Sequence, residues 1–257
     1  MSSKIATMRD GSAFANTYSI VARCARTGEL GIAVASAVPA VGAICPYVRT
    51  GVGAVTTQSW VNPYLAIAIL DDIAAGADAE GALGRALASD SEADLRQLGV
   101  VDASGRSASF TGADCTDWHG SLTGPGYAIQ GNMLTGAPVL EAMKRAFDAD
   151  MDKTLAERLM SCLTAAQSAG GDKRGKQSAA VLVHSHEAYA LVDLRVDEDA
   201  DPVGRLRALF EIARAQLAPF VAGMPKRDGG SSFPREVMDL LLLSPPERPK
   251  GGGSREP

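Results

Sequence analysis

The feature of this chain that most restricts its fold is the grouping of its periodic segments. β-rich runs come in hairpin pairs, and runs of helical period come in pairs between them. TYSIVARC (17–24) is rich in β-branched and aromatic residues, a turn follows at Gly28, and GIAVAS (31–36) completes a β-hairpin pattern. After the Gly/Pro-marked stretch 38–46, YVRTGVGAVTTQ (47–58) reads as another strand pair. Asn62 and Pro63 open a helix expected over 62–76, and Asp78 caps a second over 79–89. A hairpin is expected over 98–112, turning at 103–105, and a strand over 126–132. Apolar residues at helical spacing predict helices over 139–149 and 155–169. Strands at 178–185 and 187–196 follow, then a helix over 201–220 with Asp201 at its cap and Pro202 at its first position. This order predicts antiparallel sheets covered by helix layers, an α+β arrangement, and not alternating βαβ units. Several strands are apolar along most of their length (GIAVAS, AAVLV), as burial between a helix layer and a second sheet requires.

Composition narrows the function. The 257 residues carry a formal net charge of −5 with no basic run, which argues against a nucleic-acid footprint. Cys24, Cys45, Cys115 and Cys162 fit no CxxC spacing and read as reduced core thiols. No apolar stretch is long enough to span a bilayer, and the first 16 residues lack the apolar core of a signal peptide. A cytoplasmic protein is expected. Residues 1–16 read as a flexible leader or propeptide, 17–220 as the folded domain, and 221–257 as an extension with a short helix at 231–243 and a disordered Pro/Gly-rich tail. His184 and His186 share a strand face, but no third ligand lies near them in sequence, so no metal is expected. No cofactor motif is present either: the glycines at 124, 126 and 131 precede no Lys-Ser/Thr.

Five segments together carry a resemblance: TYSIVAR…TGELGIAVAS, GVGAVTTQSWVNP, TGPGYAIQGNMLTG, GGDKRGKQSAAVLV and VDLRVDEDADP. In this order, over about residues 17–220, they resemble the domain-of-unknown-function family 1028 (DUF1028), which is grouped with the N-terminal-nucleophile (Ntn) hydrolases. The resemblance implies a four-layer αββα sandwich and hydrolysis of an amide bond by a residue whose own α-amine acts as base. It implies no substrate. Thr17 matches the first position of the family's Thr-aromatic-Ser-Ile pattern, so it is the nucleophile implied. In many relatives this Thr directly follows the initiator Met, whereas here 16 residues precede it. A free Thr17 amine therefore requires cleavage of the Asn16–Thr17 bond. The alternatives to that cleavage are a misassigned start codon or an inactive relative, a binding or scaffold protein of the same fold. Cys45 or Ser2 is the nucleophile in a third reading.

Other candidates follow from chemistry and position. Ser19 lies on the same strand face as Thr17, and Ser36 ends the second strand, where it can face the Thr17 amine. Arg49 stands in the region where Ntn hydrolases place a cation that tunes the nucleophile, and as a guanidinium it would act only electrostatically. Thr57 and Gln58 are candidates for the oxyanion hole. His119, Gln130, Asn132, Asp172, Arg174 and Gln177 are candidates for substrate binding, with Arg174 as an anion clamp. Each also has a bland alternative as a hydrogen-bonded strand residue or a solvated turn. Few aromatics and a helix-covered pocket suit a small amide: an acyl-amino acid, a γ-glutamyl compound or a dipeptide-like molecule. A homodimer is the expected assembly.

Overall fold

A computed structural model describes residues 17–231 and 234–239 of the chain. The leader, and the predicted 231–243 helix beyond residue 239, lie outside the described residues. The chain divides into two compact units at Leu206/Arg207.

Among the described residues the first unit holds ten strands in two antiparallel sheets. The six-stranded sheet contains β1 (Thr17–Arg23), β2 (Leu30–Ser36), β7 (Gly120–Gly124), β8 (Tyr127–Asn132), β9 (Ser178–His184) and β10 (Ala190–Val196), in the order β10-β9-β2-β1-β8-β7. The four-stranded sheet follows chain order: β3 (Pro46–Arg49), β4 (Gly53–Ser59), β5 (Arg96–Asp102) and β6 (Ser107–Thr111). The predicted hairpins at 17–36, 47–58 and 98–112 are all present, with β1 and β2 in register from Thr17↔Ser36 to Arg23↔Leu30. Strand β7 has no counterpart in the sequence pattern; its Gly-Ser-Leu-Thr-Gly sequence offers too little alternation to announce a strand.

Helices α2 (Pro63–Ala74) and α3 (Ala79–Ala88) cover the four-stranded sheet. Leu65, Ile69, Leu83 and Ala86 cluster there with Val55, Leu98 and Val100. Their starts are the ones expected: the Asn62 side chain accepts from Tyr64 N at 3.2 Å, and that of Asp78 from Gly81 N at 2.8 Å. Helices α4 (Pro138–Ala149) and α5 (Leu155–Ser168) cover the six-stranded sheet, α5 beginning with a Thr154/Glu157 capping box. The approach of α5 to the sheet is close enough that a Cβ on Gly31 would lie 2.8 Å from Leu159 Cδ1. A one-turn helix, α1 (Val41–Ile44), lies within the predicted irregular stretch and packs on β9 and β2. The unit is thus a four-layer αββα sandwich. Alternation along the strands decides what each interface receives. On β1, Tyr18 and Ile20 turn to the helices, while Thr17, Ser19 and Val21 turn to the opposite sheet.

The second unit begins inside α6 (Pro202–Gln216) and continues through α7 (Ala218–Gly223) and the four-residue α8 (Arg235–Met238), with a bridge between Lys226 and Gly230. The single predicted helix over 201–220 is two helices, α6 and α7, with Leu217 between them and Pro219 in the first turn of α7. No helix among the described residues is long and apolar enough to cross a membrane.

Candidate active site

Thr17, Ser36 and Asn132 end up side by side because three strands meet there: Thr17 is the register partner of Ser36 on β2 and of Asn132 on β8. All three side chains face the opposite sheet. Thr17 Oγ1 donates to Ser36 Oγ at 3.3 Å, and Thr17 has no exposed surface. One step along the same face, Ser19 is the partner of Gln130. Its hydroxyl accepts from Gln130 Nε2 at 2.6 Å and donates across the sandwich to Gln58 Oε1 at 2.5 Å. Gln58 Nε2 donates to Gln97 Oε1 at 2.8 Å and reaches back to Thr17 O at 3.4 Å. Gln97 Oε1 also accepts from Asn132 Nδ2 at 2.9 Å.

This is a buried polar layer between two sheets, made of neutral groups. Such groups are tolerated away from water only when hydrogen-bonded, and nearly all are. The exceptions are Gln130 Oε1 and Thr56 Oγ1, both buried without a partner. Room for the Gln130 amide comes from Gly99, opposite it on β5: a Cβ there would lie 2.1 Å from Gln130 Oε1.

A small cleft opens beside this end of β1 and β2. It is lined by Tyr18, Ala35, Ser36, Gln167, Asp172, Gly175, Lys176 and Pro202. Asp172 is buried there, accepting from Ala37 N at 3.2 Å and Arg174 N at 2.8 Å, with Arg174 Nη2 at 3.4 Å. Burial first, and then the negative charges of Asp172 and Asp201, push the Tyr18 phenol well above its ordinary range, so it is a neutral donor, directed at Gln167 Oε1.

The structure therefore brings together Thr17, Ser19, Ser36, Gln58, Gln130 and Asn132, with Asp172 and Arg174 next to them at the cleft. His119 lies on the segment before β7, held at the same end by Leu134 N donating to Trp118 O; its Nδ1 is 3.3 Å from Asp117 Oδ1. Three candidates are displaced. Arg49 pairs with Gly53, at the far end of β4 from Gln58. Five residues of strand separate them, about 17 Å at ~3.4 Å per residue. Its guanidinium is spent on Asp71 at 2.9 Å and Leu70 O at 3.3 Å, so it does not tune Thr17. Thr57 alternates to the helix side of β4: its hydroxyl exchanges with Asn62 and its N–H donates to Cys45 O, leaving no donor for an oxyanion. Gln177 turns its amide to Glu198 Oε2 at 2.7 Å, away from Thr17, and only its backbone N–H touches the site, on Ser36 O. Cys45 is also out of reach as a nucleophile. It sits in an apolar cluster with Val34, Val41 and Ala180, and burial pushes its thiol up to about 12.

Sequence reasoning missed Gln97, the residue that joins Gln58 to Asn132. The available signal was a glutamine inside an otherwise apolar strand, RQLGVVD, with a glycine two residues on.

The family described as Family of unknown function (DUF1028) matches residues 17–206. A solved DUF1028 protein from Silicibacter pomeroyi is similar to this chain at 32% identity and a TM-score of 0.78, covering 83% of this chain and 93% of its own. Anbu (ancestral beta-subunit) from Yersinia bercovieri is similar at 14% identity, covering 81% of this chain and 98% of its own, with a TM-score of 0.38. Anbu from Hyphomicrobium sp. stands at 12%, 82%, 99% and 0.38 respectively. A search of curated proteins returned no match.

Proposed function

The chain belongs to the DUF1028 family, and from that premise we propose that it is an Ntn-type amide hydrolase whose nucleophile is Thr17. One observation carries the reading: the Thr17 hydroxyl, at the head of β1, is held on Ser36 Oγ inside a polar layer that the two sheets otherwise have no packing reason to bury. Cleavage of the Asn16–Thr17 bond, whose first residue lies outside the described residues, converts the Thr17 amide nitrogen into an amine. An unperturbed α-amine titrates near ~7.7–8.0, within reach of neutrality at working pH.

In the reaction, Thr17 Oγ1 attacks the substrate carbonyl while its proton passes to the Thr17 amine. The leaving amine takes that proton as the C–N bond breaks, and an ester to Thr17 remains. Water, deprotonated by the same amine, then hydrolyses the ester and restores the hydroxyl. Of the two oxyanion candidates, Gln58 is the one whose side chain lies beside Thr17; to serve an oxyanion its Nε2 exchanges the long 3.4 Å contact to Thr17 O for the substrate oxygen while keeping Gln97 Oε1. Asp172 and Arg174 at the cleft, with His119 and Asn132 beside it, are the proposed contacts to a small amide substrate. A homodimer is proposed as the assembly and is checked by light scattering.

The test is intact-mass spectrometry of the purified chain, alone and after incubation with acyl-amino acids and γ-glutamyl amides. A product beginning at Thr17, absent in Thr17→Ala, together with hydrolysis that the variant lacks, supports the reading. A full-length chain that hydrolyses amides removes Thr17 from its role.

A second reading, a binding protein of the same fold without chemistry, is favoured by a specific observation. Thr17 is fully buried, and its hydrogen-bonding neighbours Ser36 and Gln58 are neutral. A chain left intact and inactive, yet retaining small amides, supports that alternative.

A further inference from the structure

Each side-chain amide in the polar layer has an oxygen end that only accepts and a nitrogen end that only donates, so its orientation follows from its fixed neighbours. The fixed neighbours here are two backbone carbonyls. Gln97 reaches Gly131 O at 2.9 Å and Gly120 O at 3.3 Å. Both can only accept, so the nitrogen of Gln97 must face them; its two hydrogens serve Gly131 O and Thr111 Oγ1, each at 2.9 Å, and Gly120 O is a longer, shared contact. Gln97 Oε1 is then forced toward Gln58 and Asn132, and both must offer N–H groups. With its nitrogen committed, Gln58 presents its oxygen to Ser19, which must donate. Ser19 has one hydrogen, so toward Gln130 it can only accept, and Gln130 turns its nitrogen to it. The chain of donors thus runs one way, from Gln130 through Ser19 and Gln58 to Gln97 and the two carbonyls. Its direction also accounts for the buried, unpartnered Gln130 Oε1: that oxygen is what remains at the start of the chain.

We infer that Gln97 is the positioning residue of this site: anchored on Gly120 O and Gly131 O, it fixes the orientation of the Gln58 and Asn132 amides that flank Thr17. Gln58 is thereby made to present N–H to Thr17 O, and Asn132, the register partner of Thr17, is made to turn its nitrogen to Gln97. Gln97 touches Thr17 only through these two side chains. The catalytic consequence rests on the Ntn reading above; the orientation itself does not.

The experiment is NMR of the side-chain NH2 groups of Gln58 and Asn132 in the full chain, with Gln97→Met as the probe and Thr17-dependent turnover measured at a temperature where circular dichroism shows the variant folded. Gln97→Met is expected to move both pairs of NH2 signals and to speed their hydrogen exchange at least tenfold. It is also expected to lower kcat at least tenfold with KM changed less than twofold. Gln97→Asn keeps the amide but shortens its reach by one methylene; it is the probe if the Met variant does not fold, and is expected to shift the same signals by less. Unmoved Gln58 and Asn132 signals in a folded variant overturn the inference. Moved signals with unchanged kcat overturn its catalytic part. A wild-type chain that neither processes nor hydrolyses sinks the Ntn reading, while the NMR result still decides the orientation.

Discussion

The space between the two sheets is filled in opposite ways at its two ends. At one end Val21, Leu30, Ile32, Ala54 and Val101 form an apolar cluster. At the other, Thr17, Ser19, Gln58, Gln97, Gln130 and Asn132 fill the same interface with amides and hydroxyls. The same strands supply both: β1 passes from Thr17 and Ser19 to Val21 on one face, β4 from Gln58 to Ala54, and β5 from Gln97 to Val101. Apolar packing needs only volume and tolerates many sequences. The polar end needs each donor matched to an acceptor, because an unmatched buried group costs about 1–3 kcal/mol. The sandwich therefore draws stability from one end and keeps chemically useful groups in fixed positions at the other.

The contrast can be broken most directly at Thr17. Thr17→Ala is expected to remain folded and to lose amide hydrolysis by on the order of 10³-fold or more, read by product formation and by the absence of a species beginning at residue 17. An equally active variant would make the polar end a structural curiosity. At the apolar end, Ile32→Ala should cost about 2–5 kcal/mol of stability in denaturant unfolding, with the hydrogen-bond layer intact. Loss of less than ~1 kcal/mol would mean that this end is not where the stability lies.

Acid sharpens the comparison, because the polar layer is neutral and a pair at the start of β5 is not. Asp90 accepts from Arg96 Nε at 2.8 Å, and both side chains are buried. That hydrogen bond from Arg96 is the main reason its carboxyl falls from 3.8 to about 2. A depressed folded-state pKa stabilises the fold above the unfolded value and loses that contribution as pH falls through the folded one. The window is therefore from about pH 4 down to about pH 2, and the loss roughly 2 kcal/mol. Asp90→Asn should flatten the stability profile over that window, whereas Gln97→Met should leave its shape unchanged.

Gly99→Ala places a methyl group where the Gln130 amide sits and should cost about 1–3 kcal/mol. Its unfolding midpoint would report how rigidly the layer is packed; a variant as stable as the parent would show that Gln130 can move aside. The smallest effect is a control outside both regions. Gly84 lies exposed within α3 with no atom within 4 Å of an added Cβ, and Gly84→Ala should stabilise by about 0.5–1 kcal/mol.

Much of this architecture was legible in the chain. Hairpin turns, the caps at Asn62 and Asp78, and the grouping of strands and helices are local patterns, set by neighbours within a few residues. The period-2 alternation of β1 correctly put Thr17 and Ser19 on one face, and that of β8 did the same for Gln130 and Asn132. What could not be read is which faces meet. Arg49 was placed near Thr17 by spacing along the chain, but β3 and β4 are antiparallel, and the pairing carries Arg49 to the opposite end of the sheet. Thr57 and Gln58 looked equivalent until the sheet stacking assigned one to the helices and the other to the interior.

The sequence by itself determined the elements, their pairing into hairpins and the family, because these depend on local propensity and on matching residues in order. Only the tertiary structure decided that Gln97, from the opposite sheet, joins Gln58 to Asn132 around Thr17. The physical reason is that hydrogen-bond direction is set by groups far apart in sequence: Gln58 and Gln97 pair within one sheet and Gly120 and Gly131 within the other, and the two groups, with Asn132, become neighbours only when the two sheets close on each other.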